Sequence, residues 1–251
     1  MFIIIQNRKI DLGRDMIRLT FLGTRAEVEE NTENHFYHSS LLLQSINAHP
    51  FRLLIDYGQI RAYDLSILKP DAILITHAHP DHYLWTLEES NSAVPVYLTR
   101  ETHGYGTYTP VHSNILTPYE NFTLGPFRIF PYRVLHSINC PAVGFKIELP
   151  DDIVLVYNPD LVDIIGKELI LRGVDYYIGD GSTIKANLIR RKGEMLFGHA
   201  SIPTQISWCK EYRIENIIFT HIGKDTMKRE HDFQEQYPES ILAYDQMKIV
   251  F

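Results

Sequence analysis

Six short apolar runs in this chain each end on a histidine or an aspartate, and that repetition constrains the fold more than any other feature. Leu53-Leu54-Ile55 runs into Asp56, Ile73-Leu74-Ile75-Thr76 into His77, and Tyr132-Arg133-Val134-Leu135 into His136. Val154-Leu155-Val156-Tyr157 reaches Asp160 through Asn158-Pro159, Tyr176-Tyr177-Ile178-Gly179 ends on Asp180, and Ile217-Ile218-Phe219-Thr220 on His221. Runs of this length, rich in β-branched and aromatic residues, read as strands. One strand ending in a polar residue is ordinary surface behaviour. Six of them, half ending in histidine, point to side chains held on rigid strand ends and converging along one sheet edge, where a multi-ligand site can be preorganised.

The most specific signal is local: Thr76-His77-Ala78-His79-Pro80-Asp81-His82. In extended backbone side chains alternate, so His77 and His79 point to the same side and can present two imidazoles to one cation. Pro80 turns the chain, and Asp81 and His82 can then address a second cation about 3.5–4 Å away, as in two-metal hydrolases. Histidines left unpartnered at the end of a buried strand would be costly.

Composition bounds the rest. The 251 residues are 45% apolar, 12% aromatic and 22% charged, which excludes disordered, collagenous and coiled-coil chains. A net charge of −7 makes a poor general polyanion binder, so a phosphate-bearing ligand must be drawn in by bound metal or a local basic patch. Two cysteines, Cys140 and Cys209, form no disulfide framework or C-x-x-C pair and fit a reducing compartment. With no run of 18 apolar residues and no secretory pattern after the opening Met1–Ile5, the expectation is a cytoplasmic protein without membrane contact. No repeat or linker divides the chain, so one domain over 1–251 is expected. Helical periodicity falls near 60–68, 162–171, 203–213 and 225–237. Segments 24–40 and 99–121 read as long loops, with His35 and His38 in the first expected to be solvated. A hairpin-rich first half and a strand–helix alternation in the second suggest an α/β (α+β) fold. Its two mixed sheets pack face to face with helices outside.

The H-x-H-x-D-H string after an apolar strand, with the strand-end aspartates and histidines in this order, resembles the metallo-β-lactamase superfamily. The resemblance spans roughly residues 17 to 250 and implies a four-layer αββα sandwich with two metals at the sheet edge. It implies that one metal is held by His77, His79 and His136 and a second by Asp81, His82 and His221, with Asp160 shared. Asp56 matches a supporting aspartate that hydrogen-bonds a ligand histidine rather than binding metal. The imidazole-rich ligand set favours two zinc ions, with manganese as second choice.

Within that superfamily, the exported β-lactamases place a cysteine where this chain has Asp160. Flavodiiron enzymes carry glutamate in place of the second signature histidine, and glyoxalase II enzymes append a helical region beyond the last histidine. The phosphodiesterase branch resembling ribonuclease Z and the cyclic-phosphate phosphodiesterase of the carbon–phosphorus lyase pathway fits best. Its acidic residue and helix-opening histidine beyond the seven ligands are similar to Asp180 in Tyr177–Ser182 and His199 in Gly198–Pro203. A lone histidine after glycine is also often a mere cap. The expected activity is hydrolysis of a phosphodiester, either a cyclic nucleotide, a sugar cyclic phosphate or a nucleic-acid end, by a hydroxide bridging the metals. Asp81 and Asp160 orient the hydroxide, and His199, oriented by Asp180, protonates the leaving alkoxide. A thioester or lactone hydrolase is the alternative. Two departures narrow the substrate: only 24 residues separate His136 from Asp160, too few for a tRNA-gripping arm, and residues 24–40 lack a zinc-binding cysteine loop. Basic clusters at 185–192 and 224–229 are candidates for contacts to further phosphates, and the loop Thr102–Tyr108 for stacking a base. The partner is therefore a small phosphodiester or a nucleic-acid end. A homodimer is allowed for, with no segment assigned to it.

Overall fold

The computed structural model describes residues 2–4, 16–46 and 50–251. The opening apolar segment is described only at β1 (Phe2–Ile4). The first sheet continues with β2 (Ile17–Gly23), β3 (Ser40–Ser45), β4 (Phe51–Ile55), β5 (Ala72–Leu74), β6 (Val96–Thr99) and β7 (Ser113–Leu116). The second is built from β8 (Phe122–Leu124), β9 (Phe127–Leu135), β10 (Ala142–Glu148), β11 (Val154–Tyr157), β12 (Asp163–Ile164) and β13 (Tyr176–Asp180). A separate ribbon, β14 (Leu188–Lys192) with β15 (Met195–His199), precedes β16 (Asn216–Thr220) and β17 (Ser240–Leu242) of the second sheet. The chain then returns to the first with β18 (Lys248–Val250). The strand orders are β1-β18-β2-β3-β4-β5-β6-β7 and β12-β9-β10-β11-β13-β16-β17, with β8 on β9.

Period-two alternation decides what each strand shows its neighbours. Leu41, Leu43, Leu53 and Ile55 of the first sheet meet Phe127, Phe145, Leu155, Tyr157 and Ile178 of the second in one buried core between the sheets. The intervening Leu42, Leu54, Ile73 and Val96 face outward under Leu68 and Trp85. Val156, Tyr177, Ile217 and Phe219 face outward under the helices α3 (Lys167–Leu171), α4 (Ile202–Tyr212) and α6 (Glu230–Gln236), earlier elements being α1 (Leu65–Leu68) and α2 (Arg100–Tyr105) and the remaining one α5 (Lys224–Met227). The result is a layered sandwich of two mixed sheets with helices outside, the architecture the resemblance implies. Among the described residues no helix is long and apolar enough to cross a membrane.

Several expected elements differ. The helix expected over 60–68 shrinks to α1, and the one over 225–237 breaks into α5 and α6. The start of 162–171 is spent on β12, because Asp163 and Ile164 pair with Leu135 and Val134. The expected loop 99–121 contains α2 and β7, with Thr99 accepting from the Thr102 N–H as an N-cap. His199 does not open a helix: it ends β15, and α4 starts at Ile202 behind Ser201. The β14–β15 ribbon was legible in neither strand nor helix periodicity.

Candidate metal centre and active site

Topology brings the six strand ends together. Strands β4 and β5 are parallel neighbours, as are β11, β13 and β16. Two antiparallel steps through β10 make β9 run in the same direction as β11. Their C-terminal ends therefore lie along one edge of the sandwich.

The two signature histidines meet the end of β9 there. Ring centroids of His77 and His79 are 4.5 Å apart, His77 and His136 4.9 Å, and His79 and His136 5.0 Å. His136 Nδ1 donates to the Gly198 carbonyl at 3.1 Å, which turns Nε2 towards His79 Nδ1 at 3.3 Å. Beyond Pro80 the chain tightens into a turn, with the His82 N–H donating to the His79 carbonyl at 3.0 Å. Gly58 permits this, since a Cβ there would run into the Asp81 backbone. One Asp81 oxygen lies 3.1 Å from both His82 Nε2 and His221 Nε2, and one Asp160 oxygen lies 2.7 Å from His82 Nε2 and 3.2 Å from His221 Nε2. His77, His79 and His136 form one group whose ligating atoms lie within 4.8 Å of one another, and Asp81, His82, Asp160 and His221 form another. A third group joins Asp160, Asp180, His199 and His221.

Two of these strand-end residues hold strained backbone. Asp56 and His221 have φ of 61° and 54°, the left-handed region that costs a side-chain-bearing residue about 1–3 kcal/mol. The surroundings compensate. The Asp56 carboxylate, fully buried, accepts from Thr76 N–H at 2.8 Å, from the Thr76 hydroxyl at 2.9–3.0 Å and from His82 Nδ1 at 2.8 Å. Asp56 does not join either metal-ligating group; it fixes the His82 ring so that Nε2 faces Asp81 and Asp160.

Asp180 accepts from the N–H groups of Leu161 and Ser182 at 3.2 and 2.8 Å and from His199 Nδ1 at 2.8 Å. The Gln205 side chain clamps the Asp180 backbone from both sides. Ser182, which sequence reasoning did not single out, has its hydroxyl 3.2 Å from His199 Nδ1 and 3.0 Å from His221 Nδ1, tying the two imidazoles together. Only its place two residues after a strand-end aspartate signalled it.

The residues present fit metal ions. His77 Nε2, His82 Nε2, Asp81 Oδ1 and both Asp160 oxygens are buried without a hydrogen bond of good geometry, and His77 Nε2 and His82 Nε2 lie 3.8 and 2.7 Å from one Asp160 oxygen. Uncompensated polar atoms of this kind are expensive. A pair of divalent cations would satisfy all of them. The charge distribution agrees. Burial pushes the His136 imidazole down to about 4 against the pull of Asp160, so it is a neutral donor. Burial also disfavours charge on His221, but Asp160, Asp81 and Asp180 override it and raise His221 to about 10. Burial opposes ionisation of Asp180 too, and His199 overcomes it, holding the carboxyl at about 2. Without a cation the second cluster therefore holds protons, which a cation displaces on binding.

A cleft of about 490 Å³ opens onto His79, Asp81, His136, Asp160, His199 and His221. Of the two basic clusters, Lys224 and Lys228 line this cleft, while Arg229 pairs with Asp225. None of residues 102–108 lines it. The loop histidines are not solvated as expected. His35 is fully buried, with Nδ1 2.8 Å from the Thr24 hydroxyl and Nε2 3.3 Å from Glu230, and His38 is buried beside Ile60. A loop pinned at both ends by β-bridges from Arg25 to His38 and Ile222 carries them into the interior.

Comparison with known proteins agrees with this architecture. Residues 57–222 match a family described as the Beta-lactamase superfamily domain. The chain belongs to the metallo-β-lactamase superfamily. The metallo-β-lactamase fold protein YhfI from Bacillus subtilis superposes with a TM-score of 0.66 at 19% identity, covering 94% of this chain and 100% of that one. A diphosphatase of the PhnP family gives 0.68 at 19% identity, covering 94% and 97%. Human tRNase Z, short form, gives 0.62 at 17% identity, covering 92% and 98%. A search of curated sequences finds no match. The His/Asp clusters of this superfamily member are groups that could hold metal ions.

Proposed function

We propose that the chain hydrolyses phosphodiesters at a dinuclear centre. Residues His77, His79 and His136 would hold one cation and Asp81, His82 and His221 the other, with Asp160 between them; zinc suits the imidazole-rich set best, and manganese is the second choice. Such a pair supplies hydroxide at neutral pH and neutralises charge growing on phosphoryl oxygens. The observation that carries the reading beyond generic hydrolysis is the Asp180–His199 pair at the mouth of the cluster. Asp180 occupies His199 Nδ1, so Nε2 is the free nitrogen of a ring that lines the cleft. Burial alone would strip the proton from His199, but Asp180 and then Asp160 raise its pKa and keep a proton available. A proton held there can be passed to a departing alkoxide, the step on which diester cleavage depends. Asp81 and Asp160, with oxygens free of other hydrogen bonds, can orient the attacking water. The solved relatives described as a diphosphatase and a tRNase Z support phosphoryl chemistry on this fold. Free, buried Cys140 and Cys209 support a reducing, cytoplasmic setting.

Offering the zinc-loaded protein bis(p-nitrophenyl) phosphate, an acyl thioester and a lactone tests the proposal. Turnover of the diester is expected. Inertness towards it alongside thioester or lactone hydrolysis overturns the phosphodiesterase reading in favour of the acyl alternative.

A further inference from the structure

Apart from Gly198 and His199 at its inner end, the β14–β15 ribbon has no part in the chemistry above, yet it is built onto the metal cluster. The Gly198 N–H donates to the His136 carbonyl at 2.8 Å while His136 Nδ1 donates to the Gly198 carbonyl. Gly198 has φ of 116°, and a Cβ there would strike the Leu188 carbonyl, so only glycine lets the ribbon close at this point. Further out, every residue of β14 is exposed. A two-stranded ribbon of this kind gains little stability by itself.

Register sorts its side chains. Leu188 lies opposite His199, Arg190 opposite Phe197 and Lys192 opposite Met195. Because successive side chains alternate, these six share one face. Leu188 and His199 line the cleft, and the other two pairs follow on the same face of the ribbon, farther along the strands from His199: a guanidinium beside an aromatic ring, then an ammonium beside a thioether. Arg190 and Lys192 stand two residues apart, about 6.7 Å along a strand, a step comparable with that between successive phosphates of an extended nucleotide chain. Elsewhere the cleft is lined by charges of both signs, Glu27 and Asp225 beside Lys224 and Lys228. Glu29, Glu30 and Glu33 follow Glu27 in sequence, and the Lys224 charge is already paired with Glu30.

We infer that the Arg190–Lys192–Phe197 face of the ribbon is an auxiliary binding site for the nucleotides flanking the scissile bond of a linear, single-stranded oligonucleotide. The inference rests on the phosphodiesterase reading and narrows it from small cyclic diesters to a chain of several nucleotides. Arg190 offers a forked donor to one phosphate and Lys192 a point charge to the next, while Phe197 presents a ring on which a base stacks without regard to sequence.

The test compares wild-type zinc-loaded protein with the Arg190→Gln/Lys192→Gln double variant and with Phe197→Leu. Binding is read by anisotropy of a fluorescein-labelled, phosphorothioate-linked hexathymidylate, and turnover on bis(p-nitrophenyl) phosphate and a plain hexanucleotide. The double variant should bind the oligonucleotide at least about tenfold more weakly at low salt, with a salt slope shallower by about 1.4, the value for two lost phosphate contacts on a single strand. The ratio of its kcat/KM on the hexanucleotide to that on the small diester should fall by at least tenfold, and Phe197→Leu should lower binding without changing the salt slope. Unchanged oligonucleotide binding in the double variant overturns the inference. So does an equal loss on both substrates with reduced zinc content, which would make the ribbon only a brace for His136, or a drop in sedimenting mass, which would make it a contact between copies. If wild type binds the oligonucleotide but cleaves neither the hexanucleotide nor the small diester, the ribbon site stands and the reaction assignment falls.

Discussion

Replacing Asp56 with asparagine is expected to weaken metal binding by about 10–100-fold without touching a ligating residue. Three donors converge on this carboxylate: the Thr76 N–H and hydroxyl on one side and His82 Nδ1 on the other. Asparagine has the same shape but one acceptor. If its oxygen stays with Thr76, its NH2 faces the Nδ1–H of His82, donor against donor. His82 can relieve this by moving its proton to Nε2, the nitrogen that points at Asp81 and Asp160, and a protonated Nε2 cannot ligate. If His82 keeps its tautomer, a buried donor goes unpaired at about 1–3 kcal/mol. Both routes penalise the loaded state, and a 10–100-fold loss corresponds to about 1.4–2.7 kcal/mol. Zinc titration by calorimetry, with metal content after dialysis against a zinc buffer, measures it. An Asp56→Asn protein with wild-type affinity and metal content would refute the argument that Asp56 acts by setting the His82 tautomer.

Three further outcomes are expected. Asp160→Ala should abolish turnover and lower metal content, whereas His199→Ala should keep the metal content and lower kcat by about 10²–10⁴-fold; elemental analysis beside steady-state rates separates the two, and a His199→Ala enzyme as fast as wild type removes its acid role. Chelation should lower the melting temperature: at a free zinc concentration 100 times Kd each ion contributes about 2.7 kcal/mol, or about 5–10 °C per ion for a chain of this size, read by calorimetry with and without chelator. The chelated protein should also be most stable near pH 6.5. His38 and His136, both held near 4 by burial, contribute stability that is full above their unfolded value of 6.5 and lost as pH falls from there towards 4. His221, raised to about 10, contributes stability that is full below 6.5 and lost as pH rises towards 10. A melting temperature that changes monotonically between pH 4 and 10 would contradict these assignments.

Most of the candidate centre was legible before any coordinates, because strand ends announce themselves. His77, His136, Asp160 and His221 each follow an apolar run whose period-two pattern is a local property, and the rigid strand delivers the next side chain to the sheet edge. Ser182 was not legible: it is a small polar residue in a loop, and its role exists only because β13 and β16 pair in parallel, bringing His221 beside it. His35 and His38 sit in a segment with no periodicity, so composition read them as solvated. Long-range bonds to Glu230 and across from Arg25 bury them instead. The ribbon escaped notice for a related reason, since Leu188–Lys192 alternates neither in polarity nor in burial and is a strand only through its partner, Met195–His199.

The order of residues alone determined that strands end in imidazoles and carboxylates, that one histidine pair shares a side, and that a proline turns the chain between the two ligand sets. Covalent neighbours and side-chain periodicity suffice for those. Tertiary structure alone decided that His82 is the histidine Asp56 grips, that Ser182 joins His199 to His221, and that the basic segment 188–192 pairs with 195–199 beside the cleft. These depend on strand register and on contacts between residues far apart in the chain, such as the 140 positions between Asp81 and His221, and no local pattern encodes such a distance.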